Sequence, residues 1–171
     1  VGGSYGDSFD LAMMMPEIDD SGEEVWSVEG TMSAFDSLGE GVVTVAVTNT
    51  WILFCRFEIS QCYFAKPDFS WALHIDGFTS KYNFGSAVSL GSHFAAVGAN
   101  VEREVYIFGV SSVTGLFSAT PVATIDAYWE HGDFGGSVAI TDNFMIVGAP
   151  GAAKAFIFAR NTATNTWNVV A

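Results

Sequence analysis

The residues best suited to hold a metal ion lie in a short acidic segment near the start of the chain. This segment, EIDDSGEE, contains Asp19, Asp20, Glu23 and Glu24, and calcium takes six or more oxygen ligands, carboxylates among them. The acids are clustered, however, and do not follow the alternating spacing of a calcium loop. Two interpretations stay open: a weak calcium site, or an acidic loop that faces solvent.

A second group of acids could act on a polysaccharide. Asp126, Glu130 and Asp133 lie in or beside the segment AYWEHGDFG, and glycoside hydrolysis requires two carboxylates about 5 to 10 Å apart in a cleft. We predict that the chain is not an enzyme and has no catalytic residue, and we keep a polysaccharide-binding or polysaccharide-cleaving protein as the alternative. The histidines follow no catalytic or metal-binding spacing; they are His74, His93 and His131.

The two cysteines, Cys55 and Cys62, flank a predicted hairpin in the segment FCRFEISQC. If the turn centres on Glu58 and Ile59, the cysteines face each other across the hairpin at a distance that a disulfide spans. Their spacing fits neither a Cys-x-x-Cys redox motif nor a zinc site. A structural disulfide and two buried thiols remain the alternatives, and a disulfide would indicate an oxidising compartment.

Tryptophans near predicted loops are candidates for an exposed surface that stacks on a ligand such as a sugar. Trp51 and Trp129 have such positions. Trp26, Trp71 and Trp167 fall in predicted closing strands, where we expect an aromatic ring to pack between sheets.

Charge and composition limit the classes of function. The 171 residues include 6 Lys or Arg against 19 Asp or Glu, a formal net charge of -13, which repels nucleic acid and anionic lipid surfaces. Half of the residues are hydrophobic, enough for a core, but no apolar run approaches the roughly 18 to 20 residues of a membrane-spanning helix. We therefore predict neither a nucleic-acid partner nor a membrane span.

The sequence contains a repeat with a period of fifty residues. Residues 84–108 and 134–158 share nine identities at twenty-five positions without a gap. Periods of roughly 20 to 50 residues are typical of folds in which each copy supplies one supersecondary unit. An eroded third copy precedes these two, with residues 33–49 aligned to residues 86–100, and the first thirty residues predict a shortened fourth copy.

Each copy predicts four short antiparallel strands. Runs such as Val42–Thr48 and Val105–Val110 are rich in Val, Ile, Phe and Tyr and are bounded by Gly, Asn, Pro or Ser. The sequence therefore predicts an all-β chain of propeller-type blades of four antiparallel strands, about three of them with a partial one. The expected units of this propeller domain, complete or incomplete, are an acidic partial blade over 1–30, a degenerate blade over 31–78, and further blades over 79–128 and 129–171.

Eight residues define the repeat, and each type has a physical role in a blade. An aromatic residue followed by glycine can wedge between neighbouring sheets, because glycine permits close approach and positive φ. A Gly-Ala pair ends an apolar strand where only small residues fit, and a following proline cannot donate a ladder hydrogen bond. The residues are Phe84, Gly85, Gly98, Phe134, Gly135, Gly148, Ala149 and Pro150.

The order of these residues resembles the FG-GAP repeat, the blade unit of integrin-alpha-like β-propellers. Between residues 132 and 170, Phe-Gly is followed by Ser-Val-Ala-Ile, a short turn, Val-Gly-Ala-Pro, Ala-Phe-Ile-Phe and a Trp-led closing strand. The resemblance extends to residues 83–126. The family's Asp-x-Asp-x-Asp-Gly calcium loop does not carry over, because the matching connections at 90–93 and 140–143 are short and poor in carboxylates.

The resemblance implies a non-enzymatic extracellular or cell-surface module with a structural or adhesive role and no cofactor. Such a module acts through protein or glycan contacts, or by assembly into a larger polymer. The family suggests seven blades and propellers close with about four to eight, more than this chain supplies. We therefore expect apolar terminal faces, covered by other copies of the chain or by further blades of a larger chain; they would include Phe144, Ile146, Phe156 and Phe158.

Overall fold

The computed structural model describes most of the chain, and within that part the protein is all-β. Its elements there are short strands and two single 3-10 turns, at 57–59 and 150–152. Among the described residues, no helix is long and apolar enough to cross a membrane. The described residues are 44–68, 70–75, 82–127 and 132–170, together with the backbone of 11–18, 24–32 and 43.

The strands form one hairpin followed by three four-stranded antiparallel sheets, in each of which the strands are ordered as in the chain. The hairpin consists of β1 (Leu11–Ile18) and β2 (Glu24–Met32). The first blade comprises β3 (Val43–Val47), β4 (Ile52–Arg56), β5 (Gln61–Ala65) and β6 (Ala72–Ile75). The second comprises β7 (Phe84–Leu90), β8 (Phe94–Ala99), β9 (Glu104–Gly109) and β10 (Ala123–Asp126). The third comprises β11 (Ser137–Ile140), β12 (Phe144–Ala149), β13 (Lys154–Asn161) and β14 (Thr166–Val169). The predicted fold of three successive four-stranded blades is confirmed.

The three blades share the turn between their second and third strands. In each blade a residue with positive φ donates its backbone N–H to the carbonyl three residues earlier, over 3.0 to 3.3 Å. These residues lie 43 and then 50 positions apart, so the first blade follows the same plan on a shorter period. They are Ser60 at φ 55°, Arg103 at φ 60° and Ala153 at φ 52°.

The alignment of residues 33–49 with residues 86–100 was wrong. The structure makes Val43–Val47 the opening strand of the first blade, not its second strand. The turn that follows has the same backbone hydrogen bond in each blade, from Thr48 to Trp51 (2.9 Å), from Gly91 to Phe94 (2.7 Å) and from Thr141 to Phe144 (2.8 Å). Cys55 and Arg56 therefore occupy the place of the Gly-Ala pair, and the loss of that pair moved the alignment by one strand.

The blades stack face to face and bury an apolar layer at each junction. We call the side of a blade that points toward the next one its forward face, and the opposite side its rear face. In the second blade Phe94 and Ala96 point forward while Ala95 and Val97 point to the rear, so β8 is buried throughout. Alternation along a strand thus places one blade in two cores.

The forward face of the third blade differs in part from the prediction. Phe144 and Ile146 are 56% and 46% exposed, as expected, but Phe158 is only 5% exposed and Phe156 is half-buried. Ile146 pairs with Ile157, which is 37% exposed, so that Phe156 and Phe158 point to the second blade instead. Strand alternation explains the difference, since neighbours in a strand face opposite sides.

Candidate protein interface

The junction between the first and second blades is built around a glycine. Gly85 has a φ of +95°, and a Cβ atom there would lie 2.5 Å from Cys55 Cβ and 3.2 Å from the sulfurs of Cys55 and Cys62. No side chain fits in that space, so the backbone of β7 lies directly on the first blade. Phe84, the preceding residue, is fully buried in this layer, with its ring edge-on to Tyr106 at 5.3 Å.

The junction between the second and third blades repeats this arrangement with different residues. Gly135 has a φ of +88°, and a Cβ atom there would lie 2.8 Å from the Glu104 carbonyl oxygen. Gly98 faces it, and a Cβ on Gly98 would overlap the carbonyl oxygen of Gly135. Phe134 is buried and lies edge-on to Phe156 at 5.7 Å. An aromatic residue and a glycine therefore close both junctions.

A disulfide joins Cys55 and Cys62 within the first junction. The two residues are directly paired between β4 and β5, with their Cα atoms 4.1 Å apart. The equivalent cross-strand pair in the second blade is Gly98 with Val105. The disulfide thus supplies, in the first blade, the surface on which the next blade's glycine lies.

The forward face of the third blade is equivalent to these buried surfaces, yet within the described chain no blade covers it. Phe144, Ile146 and Ile157 follow Phe94, Ala96 and Ile107 of the second blade at an interval of fifty residues, and that second set is buried. Ala139 is paired with Ile146 and is exposed as well. We call this surface the open face, defined by Ala139, Phe144, Ile146, Ala155 and Ile157.

The open face carries no charged side chain. The register places only small, apolar or neutral polar residues on it, although the whole chain has a net charge of -13. Its centre is apolar, and its outer edge is formed by neutral polar side chains of β13 and β14. An apolar centre within a polar rim is the usual composition of a protein interface. The edge residues are Asn161, Thr166 and Asn168.

The rear face of the first blade, in contrast, is buried at its centre. Ile52, Phe54 and Ala65 form the centre of this side and are inaccessible to solvent or nearly so, whereas its two edge strands carry exposed residues, Val45 and Val47 on β3 and Ala72 and His74 on β6. The two ends of the described blade stack are therefore different: the centre of one is buried, and the centre of the other is open.

Polar turns of the three blades meet beside the open face. The backbone N–H of His93 donates to Asp142 Oδ1 over 3.0 Å, and His93 Nδ1 lies 2.8 Å from Asp142 Oδ2. Partial burial raises the pKa of Asp142, but the hydrogen bonds from His93 and the charges of His93 and Arg160 lower it by more, so that it lies below the ordinary value. These turns line an open cleft of ≈ 480 Å³, and their residues Thr48, Ser92 and Asn143 are part of its wall.

Trp51 does not form the exposed stacking surface that its position near a loop suggested. It is 2% exposed and packs edge-on against Trp71 and Phe117, with centroid distances of 5.5 and 5.0 Å. Lys66 Nζ lies 3.5 Å from its ring centroid, a cation–π contact. Trp51 closes the turn after β3, and its ring packs into the core between the first and second blades.

Three other candidate residues lie at the surface, namely Asp126, Asp133 and His74. Asp126 and Asp133 are exposed, and His74 stacks on Tyr63 with centroids 4.5 Å apart. Among the described residues no three His, Cys, Asp or Glu side chains could hold a metal ion together. Outside the described residues lie Asp19, Asp20, Glu23, Trp129, Glu130 and His131, and Glu24 and Trp26 are described by backbone alone.

Glu104 is a buried carboxylate that sequence reasoning did not single out. The Tyr106 hydroxyl donates a hydrogen bond to its Oε2 atom. The two residues are neighbours on the rear face of β9, next to Phe84. Its burial at a junction between two blades, rather than in a cleft, indicates a structural role.

Neither a protein-family model nor a curated protein sequence matches this chain. Solved structures do. A Lactobacillus plantarum protein matches with a TM-score of 0.55 at 11% identity, over 94% of this chain and 50% of that one. Hsv2 of Kluyveromyces marxianus matches with a TM-score of 0.53 at 9% identity, over 75% of this chain and 46% of that one.

These similarities define a β-propeller type of fold for the chain. A KlHsv2 variant with loop 6CD replaced by a Gly-Ser linker agrees, with a TM-score of 0.52 at 14% identity over 91% of this chain and 57% of that one. The chain spans about half the length of the solved structures that it matches. At such low identities the likeness concerns the fold alone.

Proposed function

We propose that the protein is a non-enzymatic extracellular or cell-surface module, built from FG-GAP-like blades, with a structural or adhesive role. The observation that carries this proposal is the open face, an uncharged apolar sheet surface equivalent to two buried junctions of the same chain. Exposed apolar patches rimmed by polar residues mark sites of protein contact. The module acts by burying this face against another protein surface.

The blades support an FG-GAP-like assignment through their repeated contacts. Gly85 and Gly135 both have positive φ and both lie on the preceding blade, while Phe84 and Phe134 fill the layers beside them. The Phe-Gly pair thus has a physical reason to recur. The junction requires an aromatic ring to fill the layer and, directly after it, a glycine that leaves room for the neighbouring blade. The spacing of these pairs, rather than a catalytic group, is what the sequence repeats.

An extracellular location is supported by the oxidised cysteines. The disulfide between Cys55 and Cys62 occupies a buried junction, and structural disulfides persist in oxidising compartments. The acidic surface, with a net charge of -13, disfavours a nucleic-acid partner inside the cell. Both observations agree with a secreted or surface-attached protein.

Surface location can be tested on intact cells of the organism that makes the protein. An antibody raised against the folded chain is expected to label unpermeabilised cells or to capture the protein from the medium. Trapping of free thiols during extraction, followed by mass spectrometry, is expected to find Cys55 and Cys62 oxidised. Labelling only after permeabilisation, with both thiols alkylated, would contradict the proposal.

A glycan is the second candidate partner, because an aromatic side chain borders the polar cleft. Phe144 is exposed at the edge of this cleft, next to the side chains of Asp142, Asn143 and Ser92. Sugars bind by stacking on aromatic rings while polar groups fix their hydroxyls.

The glycan alternative predicts that Asn143→Ala weakens the binding of a surface polysaccharide while Ile157→Asp has little effect, since Ile157 does not line the cleft. Titration calorimetry against a panel of soluble polysaccharides provides the measurement. Heat changes that are equal for both variants and the parent chain would remove this alternative.

A further inference from the structure

We propose that the open face docks against the open face of a second copy of this chain, forming a two-fold symmetric dimer. This inference rests on the proposed function, because it names the partner of the same surface. The face corresponds in position to surfaces that the chain already buries at two junctions. Phe144, Ile146 and Ile157 are equivalent to residues of the second blade that are packed under the third.

Charge favours a second copy over an unrelated charged partner. A chain with a net charge of -13 repels its own copies at most surfaces. The open face is the exception, because no acidic or basic side chain lies on it. Two copies can therefore meet here without removing a charge from water, a step that is costly when the charge is left unpaired.

The two-fold symmetry of the contact follows from which faces of the described blades are accessible. A head-to-tail stack would place an open face on the rear face of another copy's first blade, as blades stack within the chain. Ile52, Phe54 and Ala65 of that rear face are already buried. The exposed margin of that face also carries the titratable His74. The surface with an accessible centre and no charged or titratable side chain that a second copy can offer is its own open face, which produces an isologous two-fold contact.

The two-fold contact also suits the shape of the surface. The centre of the face is formed by β12 and β13, and Ile146 and Ile157 are directly paired there. Apolar side chains of facing sheets interdigitate at a spacing of about 10 Å, as in a sandwich core. The neutral side chains of Asn161 and Asn168 then lie at the rim, where they can hydrogen-bond across the contact.

Sedimentation velocity of the oxidised chain tests the dimer. We expect a concentration-dependent species of twice 18.3 kDa. Ile146→Asp and Ile157→Asp should each raise the dissociation constant at least about 30-fold, the effect of losing one central interface residue. Val113→Asp is the matched control: Val113 is 92% exposed in the connection between β9 and β10, and this change should leave the dimer intact.

Mixing distinguishes the two-fold contact from a head-to-tail one. In an isologous dimer both copies use the open face, so fluorescently labelled parent chain should not pair with Ile157→Asp chain. In a head-to-tail arrangement the variant would still bind through its other surface, and pairing would overturn the proposal. Circular dichroism of each variant verifies that it is folded.

A folded chain that stays monomeric at every concentration would also overturn the dimer and point to a further blade as the occupant of the face. That result would leave the surface location untouched, because antibody labelling of intact cells does not depend on dimerisation. Labelling restricted to permeabilised cells, conversely, would remove the proposed function while a dimer could still form.

Discussion

Gly85 lies against Cys55: a Cβ atom on the glycine would come within 2.5 Å of the cysteine Cβ. At this point the backbone of the second blade therefore lies directly on the disulfide of the first. Gly135 lies in the same way on the Gly98 and Val105 pair of the second blade. The repeated glycine thus fixes the distance between blades, and the aromatic residue before it fills the layer.

Gly85→Ala is expected to lower the free energy of unfolding by about 2 to 4 kcal/mol, because it combines positive φ with a steric overlap. Gly115→Ala is the matched control, since Gly115 also has positive φ (+67°) but a Cβ atom there would meet no atom within 4 Å. It should cost only about 1 kcal/mol. Urea unfolding of both variants provides the comparison, and equal losses would show that the overlap is relieved.

The disulfide itself contributes to stability because the loop that it closes restricts the unfolded chain. Replacing Cys55 and Cys62 with the Gly and Val of the second blade, as Cys55→Gly with Cys62→Val, preserves the packing type and removes the bond. The free energy of unfolding should fall by roughly 2 to 4 kcal/mol, the usual contribution of a disulfide that closes a short loop. A loss below about 1 kcal/mol under urea would indicate a bond that does not constrain the unfolded chain.

The same replacement tests the contact between Gly85 and Cys55. In the Cys55→Gly with Cys62→Val background, Gly85→Ala no longer meets the cysteine side chains, so its cost should approach that of Gly115→Ala. A double-mutant cycle measures this coupling as a free-energy difference. If the losses of the Gly85→Ala variant and the cysteine variant simply add in the combined variant, Gly85 and the disulfide are not in contact.

The sequence predicted the blades well because the central strands repeat their residues closely. Phe94 and Phe144 begin equivalent strands fifty residues apart, and the Phe-Gly pairs precede them at the same interval. These positions are constrained by backbone geometry and by tight junctions, which few residue types can satisfy. Where so few residue types satisfy the geometry, the residue type alone predicts the local structure.

The first blade was harder to predict from the sequence, since a disulfide there provides the surface for the next blade that a glycine-containing pair provides in the second blade. Cys55 stands in the place of Gly98 and Gly148, and no pattern of apolar residues indicates such an exchange. The open face was predicted only in part for a similar reason. A one-residue difference in strand register decides whether Ile157 or Phe158 faces outward, and in this hairpin the register is fixed by the geometry of the turn at 150–153, which the sequence pattern did not specify.

Glycines at equivalent positions of the second and third blades should respond differently to the same substitution. Gly98→Ala would place its Cβ on the carbonyl oxygen of Gly135, a backbone atom of the next blade, so we expect a loss of about 2 kcal/mol or more. Gly148→Ala meets the Ser137 hydroxyl, which can rotate away, and should cost less than about 1 kcal/mol. Thermal unfolding measures both. A comparable loss for Gly148→Ala would imply that its face is covered in solution.

Acid should weaken the contact between the second and third blades at Asp142. Its pKa is lowered in the folded protein relative to the ordinary 3.8, because the opposing effect of partial burial is outweighed by hydrogen bonds and charge from His93 and by the charge of Arg160. A group with a depressed pKa stabilises the fold above its unfolded pKa, and the contribution is lost as the pH falls through its folded pKa. The stability of the parent chain should therefore decline below about pH 4, and Asp142→Asn should flatten this decline and be less stable at pH 7. Glu102→Gln, which removes a carboxylate from a different turn, serves as the control. Unfolding midpoints between pH 2.5 and 7 provide the test, and parallel curves for the parent and Asp142→Asn chains would show that this carboxylate does not link the blades.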